Sequence, residues 1–352
     1  MDRRDGIIKR NELLQNQLVM EKTEEGRDIL IRAYHPQSRD LLGYIRYKSD
    51  RGTEDGVVEL TNFHARLQLW HLTMGGTSKA RNKNQAGEHG EGLDIAGLVL
   101  CRSENNYGCR MVSGGYRWNF TWATNKRLVT KLSRCNRDNM KKEREEAEGK
   151  PRTTKSQAWN DVSVFIGGRR KNGKGKKVPL VLFREWLKMT IDIDSPQART
   201  RTPRGDLITD PEYSNKLYLR GLLLPQGSTV GRPLRYGYNF LQGETGRDRE
   251  GLKGANSQNL QVTAIWAAAL SAAGPNSELL AAYTELLLDW ESYKYADVMM
   301  DTRYQYLDAG TATMVWNYMR KMTPEKPPFY HNSRDTAEVS VSGVLLPYSH
   351  GH

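Results

Sequence analysis

A chain of 352 residues, 27% charged and 38% hydrophobic, has material for two or three domains, each with its own core. No apolar run approaches the roughly 20 residues that cross a bilayer and no apolar leader-like stretch opens the sequence, so no membrane partner is expected. A net charge of +12 asks for an anionic partner, while Cys101, Cys109 and Cys135, without paired spacing, give no disulfide framework or zinc site and point to a cytoplasmic or nuclear compartment.

In chain order, residues Arg10 to Leu18 have the spacing of an amphipathic helix with Leu14 and Leu18 on one stripe. Asp28 to Tyr34 and Asp40 to Tyr47 read as two strands joined through His35-Pro36-Gln37-Ser38, and Val57 to Leu60 adds another. Leu93 to Arg102 is apolar at helical spacing and is expected to pack on the sheet. Met111 to Trp122, bent at Gly114-Gly115, and Lys126 to Leu132 alternate like strands. Met140 to Gly149 is charge-dense, a solvated helix or a mobile insertion. Asp161 to Gly167 reads as a strand with Val162, Val164 and Ile166 on one face, and Phe183 to Thr190 as a short helix. The sum is one layer of mixed sheet backed by helices, an α/β sandwich over residues 1–195.

A boundary falls near Asp194-Ser195-Pro196, where a basic, proline-containing segment begins. The second domain, 196–323, is expected to open with strands near Leu207 and Leu217. It continues from Asn259 as helices around Trp266, Leu279 to Leu288 and Tyr293, broken at Gly274-Pro275. Trp266, Trp290 and Tyr293 read as core anchors. Residues 324–352 form a proline-bearing tail without a core pattern.

The positive charge concentrates in Met140 to Lys155, Gly167 to Lys177 and Arg199 to Arg204, all read as loops. The Gly167 to Lys177 run can neutralise phosphates but has no aromatic on which a base would stack. A solvated hairpin tip, a nucleic-acid contact and a nuclear-localisation signal all fit it. His64, His71 and His89 lack the close pairing that a zinc site needs.

Two segments carry chemistry. Glu12 and Asn16 lie four residues apart on one helical face, where a carboxylate can deprotonate a water and an amide oxygen can ligate Mg²⁺; a solvated polar face has the same pattern. Gly75-Gly76-Thr77-Ser78-Lys79 and Gly87-Glu88-His89-Gly90-Glu91-Gly92 have glycines at a spacing that lets backbone N–H groups face phosphate oxygens, and such a run by itself is equally a turn.

Taken together these segments resemble the GHKL ATPase superfamily (gyrase, the ninety-kilodalton heat-shock chaperones, histidine kinases, MutL), whose nucleotide domain is the Bergerat-type α/β sandwich. Glu12 and Asn16 match its N-box, Gly87, Gly90 and Gly92 its glycine box, and Thr77, Ser78 and Lys79 resemble the lid of MORC-type members. Beyond the nucleotide domain, Lys216 to Leu224, Tyr238-Asn239-Phe240 and Gly246 to Glu250 resemble the chaperones' transducer-like middle domain, followed by C-terminal helices. There Arg249, or alternatively Arg247, matches an arginine that reaches the γ-phosphate. The resemblance implies a Mg²⁺-dependent ATPase in which Glu12 activates water and Asn16 holds the metal. Lys79 and the Gly87 to Gly92 backbone would hold the phosphates, and Arg249 would report nucleotide state to the second domain; His89, inside the glycine run, could touch phosphate or simply cap the turn. It also implies a chaperone-like protein client and a possible homodimer.

The sequence departs from the family at the adenine loop, Glu59 to Leu67, where Asn62 stands for an aspartate and His64 and Arg66 for two glycines. Asp94 stands where related sequences often carry lysine, and Met20 where the N-box helix often carries aspartate. These departures point to the alternative: a catalytically impaired scaffold of the same fold that binds nucleic acid or a protein partner through its basic loops.

Overall fold

The computed structural model describes residues 18–68, 92–102, 104–123, 127–168, 175–228, 231–245, 251–288, 294–298 and 307–322. The chain is mixed α/β and divides into two compact units, Met1–Asp194 and Ser195–His352. Among the described residues no helix is long and apolar enough to cross a membrane.

The first unit is built on one large sheet. Strands β1 (Val19–Glu25), β2 (Asp28–Tyr34), β3 (Leu41–Ser49) and β4 (Asp55–Asn62) form a meander, and β5 (Cys109–Ser113), β6 (Tyr116–Trp122) and β7 (Leu128–Arg134) form a second. Strand β8 (Val162–Ile166) joins the two meanders, giving the order β1-β2-β3-β4-β8-β5-β6-β7, with the short β9 (Val178–Pro179) beside β4. A mixed sheet was expected; every pairing between named strands here is antiparallel. Because β8 is antiparallel to both neighbours, β4 and β5 run in the same direction. Such a pair needs a long crossover, and helix α1 (Gly92–Cys101) lies on it.

Alternation decides which face is covered. In β2, Ile29, Ile31 and Ala33 are buried while their neighbours are partly exposed, and Val58 with Leu60, Val162 with Val164, and Trp118 with Phe120 continue the same apolar layer. Helix α1 packs on β5, β6 and β7, and helix α3 (Leu180–Leu187) covers the β3–β4 side through Phe183 and Leu187. The Phe183 ring stacks on Tyr47 at 5.0 Å. Gly97 sets how closely α1 approaches: a Cβ there would lie 2.9 Å from Leu128 Cδ2 and 3.5 Å from Phe120 Cδ1.

One local expectation is corrected. Gly114-Gly115 does not bend one strand; with φ of 59° and 79° it closes the two-residue hairpin between β5 and β6. The charge-dense stretch is helix α2 (Arg137–Ala147), without a buried residue and capped by the Asn136 side chain accepting from the Asn139 N–H.

The second unit has a five-stranded sheet in the order β10-β11-β14-β12-β13, from β10 (Arg199–Thr202), β11 (Gly205–Ile208), β12 (Leu217–Leu219), β13 (Leu222–Leu224) and β14 (Gly237–Phe240). Lys216 to Leu224 is therefore a hairpin and not one strand, turning at Arg220-Gly221 with positive φ at both residues. Arg199 to Arg204 begins as strand β10 and not as a loop, and the Arg199 guanidinium is buried against Asp206 at 2.6 Å. Helices α4 (Ala255–Ala272), α5 (Glu278–Leu288) and α6 (Ala309–Met322) complete this unit. Its core centres on Trp266, whose indole N–H donates to the Tyr238 hydroxyl at 2.8 Å; that hydroxyl in turn donates to buried Asp297 at 2.5 Å. Trp290 and Tyr293 lie outside the described residues.

Candidate functional site

Of the residues singled out in the sequence, Glu12, Asn16, Thr77, Ser78, Lys79, Gly87, His89, Gly90, Arg247 and Arg249 lie outside the described residues. Asn62 and Gly92 lie within them. Asn62 ends β4 and is buried, two residues beyond Leu60 and four beyond Val58 on the helix-covered side of the sheet. Gly92 is the first residue of α1. The fold thus brings Asn62, at the end of β4, and Gly92, at the start of α1, to the same face of one sheet.

Between α1 and that face lies an apolar cavity of about 140 Å³. Leu60 of β4, Leu93, Ala96 and Gly97 of α1, and Met111 and Phe120 of the sheet are among its walls. It is smaller than the roughly 300–1,000 Å³ of a whole small-molecule site, so it suits one flat ring system and leaves a polar remainder of any ligand outside it. No group of three or more His, Cys, Asp or Glu able to hold a metal occurs among the described residues.

The turn after β4 is held by buried contacts. His64, at a position where a glycine was expected, has φ of 51°, in the left-handed region that glycine enters without strain. Its backbone N–H donates to Asp161 Oδ1 at 3.2 Å, and its Nδ1 lies 2.9 Å from Asn160 Nδ2. Asp161 is buried and also accepts from the Gln157 N–H at 2.6 Å and from Arg152 Nη2 at 2.5 Å. Arg152 in turn lies 3.9 Å over the Phe63 ring.

These contacts tie residues 152–161 to the end of β4 and hold the turn in place. Nothing in the sequence marks Asp161 as a member of this neighbourhood. It lies 97 residues from His64, and only the pairing of β8 with β4 brings the two together. The three cysteines are buried and none forms a disulfide. Neither known protein-family models nor curated proteins match this chain.

Proposed function

We propose that the first unit is a nucleotide-binding domain of GHKL type, taking adenine into the cavity beneath α1 and Mg²⁺-ATP phosphates at that helix's glycine-led start. The observation that carries this reading is the apolar cavity bounded by the helix that Gly92 opens and by the strand that Asn62 ends. An apolar slot suits the faces of a purine ring, and the oxygen of Asn62, two residues beyond the lining Leu60 on the same strand, would accept from its exocyclic amine. Helix N-termini and glycine-rich turns supply backbone N–H groups for phosphate oxygens.

In this reading Glu12 activates the water, Asn16 ligates Mg²⁺, Thr77, Ser78 and Lys79 close over the phosphates, and Arg249 senses the γ-phosphate. Contacts that exist only before hydrolysis then bias a domain rearrangement. The amide at Asn62, in place of a carboxylate, favours a second reading, in which the chain binds nucleotide without efficient turnover and serves as a scaffold.

Calorimetric titration of the purified chain with ATP and ADP, with and without Mg²⁺, tests the proposal. Magnesium-dependent ATP binding is expected. Ala96→Leu, which puts three more carbons into the cavity wall, should weaken both nucleotides about tenfold or more while leaving Mg²⁺ dependence intact. Absence of binding at millimolar nucleotide, or an unchanged affinity in Ala96→Leu, would overturn it.

A further inference from the structure

The opposite face of the first unit's sheet carries a second constellation. Strand register places Arg46 opposite Glu59, Glu59 opposite Phe165, Phe165 opposite Arg110, and Arg110 opposite Asn119. The neighbouring row runs through Tyr44, Thr61, Ser163, Val112 and Arg117. Helix α2 and residues 154–158 line the other side, leaving a pocket of about 410 Å³. That volume lies within the roughly 300–1,000 Å³ of small-molecule sites.

The charges in this pocket do not balance. Arg46, Arg110, Arg117 and Lys155 face two carboxylates, Glu59 and Glu143. Glu59 is already engaged, accepting from the Tyr44 hydroxyl at 2.6 Å and from Arg46 at 3.3 Å, and Arg46 is further fixed by the Thr154 carbonyl at 2.5 Å. Arg110 lies 4.3 Å over the Phe165 ring, and Arg117 stands beside the Cys135 thiol. Neither arginine, nor Lys155, forms an ion pair among the described residues. Two guanidiniums on adjacent strands, diagonal in register, repel each other, and partial desolvation together with the charge of Arg117 pulls the Arg110 pKa below its ordinary value, although the side chain keeps solvent contact.

We infer that this pocket binds a phosphate dianion, free or as the monoester of a small molecule, held between Arg110 and Arg117 with Lys155 at its side. Four cations against two carboxylates leave an excess of two positive charges, which a phosphate monoester carrying about −1.5 to −2 neutralises. Guanidinium forks match phosphate oxygens two at a time, and both forks stand on strands that fix their separation.

A nucleic-acid strand fits less well. The ring in the pocket's walls, Tyr44, is buried beneath Arg46 with its hydroxyl taken by Glu59, so it offers a base no platform to stack on. The pocket and the cavity under α1 lie on opposite faces of the sheet, so the two proposals stand or fall separately.

The test is calorimetric titration of the full chain, free of nucleotide and Mg²⁺, with inorganic phosphate, glycerol 3-phosphate and a single-stranded oligonucleotide. Binding of phosphate or its ester is expected. Arg110→Gln and Arg117→Gln should each weaken it about tenfold or more, and Glu143→Gln should tighten it severalfold by removing a repelling carboxylate. Lys141→Gln, on the exposed side of α2 beside Glu145, should leave it unchanged. Tighter binding of the ester assigns an esterified ligand, and equal affinities assign free phosphate. No heat with either at millimolar concentration, binding of the oligonucleotide alone, or indifference to Arg110→Gln and Arg117→Gln would overturn the inference. ATP affinity, measured in the same arginine variants, should stay at its wild-type value if ATP uses the other face.

Discussion

Among the described residues of the first unit, Asp161 is the one fully buried carboxylate. It fixes the His64 turn, the Gln157 backbone and the Arg152 guanidinium at once. Removing one partner of a buried ion pair leaves the other desolvated and uncompensated, which typically costs about 3–5 kcal/mol. The Arg152 side chain keeps 17% of its surface in contact with solvent, so Arg152→Ala is expected at the low end, about 3 kcal/mol. Urea denaturation followed by tryptophan fluorescence would read this as a lower midpoint at unchanged slope. A loss below about 0.5 kcal/mol would mean that Gln157 and His64 satisfy Asp161 without the arginine. Residue types revealed only part of this cluster. His64 stood out as a non-glycine at an expected glycine position, whereas Asp161 looked like one more polar residue at the start of a strand, because the contact that matters is non-local.

At the scale of elements, the ends of β2 and β3 are pinned by Asp28, whose Oδ1 accepts from the Ser49 N–H at 2.8 Å and from its hydroxyl at 2.7 Å. The Ser49 hydroxyl, then the Ser49 N–H, hold the Asp28 pKa below its ordinary value. A carboxylate with a lowered folded-state pKa binds fewer protons folded than unfolded. Its stabilisation is therefore complete above the unfolded value of about 3.9 and fades as pH falls through the folded value. Asp28→Asn keeps an acceptor oxygen but loses the charge that strengthens it. The variant should be less stable than wild type at pH 7, and the gap should close as pH falls below about 4. A gap independent of pH would show that the substitution perturbs the hairpin by geometry. Within-strand alternation announced β2, β8 and the apolar side of α1, since periods of two and 3.6 are written locally. The place of β8 between β4 and β5 had no local signature, and neither did the pocket on the far face. Arg110 and Arg117 are each the polar member of an alternating pair, and register alone makes them neighbours.

For the whole molecule, the two hydrophobic cores share no residue. One is gathered around Ile31, Tyr47 and Phe120, the other around Tyr238, Trp266 and Val315. Lesions with no shared partners act independently to within about 0.3–0.5 kcal/mol, so each unit has its own diagnostic variant. In the second unit that variant is Asp297→Ala. Asp297 accepts from the backbone N–H groups of Arg235 and Tyr236 and from the Tyr238 hydroxyl, all in a buried setting where each orphaned donor costs about 1–3 kcal/mol. Desolvation raises the Asp297 pKa against the pull of these donors, so part of their gain is already spent holding the charge in the interior. A net loss of about 3 kcal/mol, at roughly 2–4 °C per kcal/mol for a unit of this size, lowers the second unit's transition by about 6–12 °C. Differential scanning calorimetry should resolve two transitions in the wild type, with Arg152→Ala lowering only one and Asp297→Ala only the other. A single transition displaced equally by both variants would mean that the two cores unfold as one cooperative body, and any ligand bound to the first unit would then stabilise the second through that shared transition.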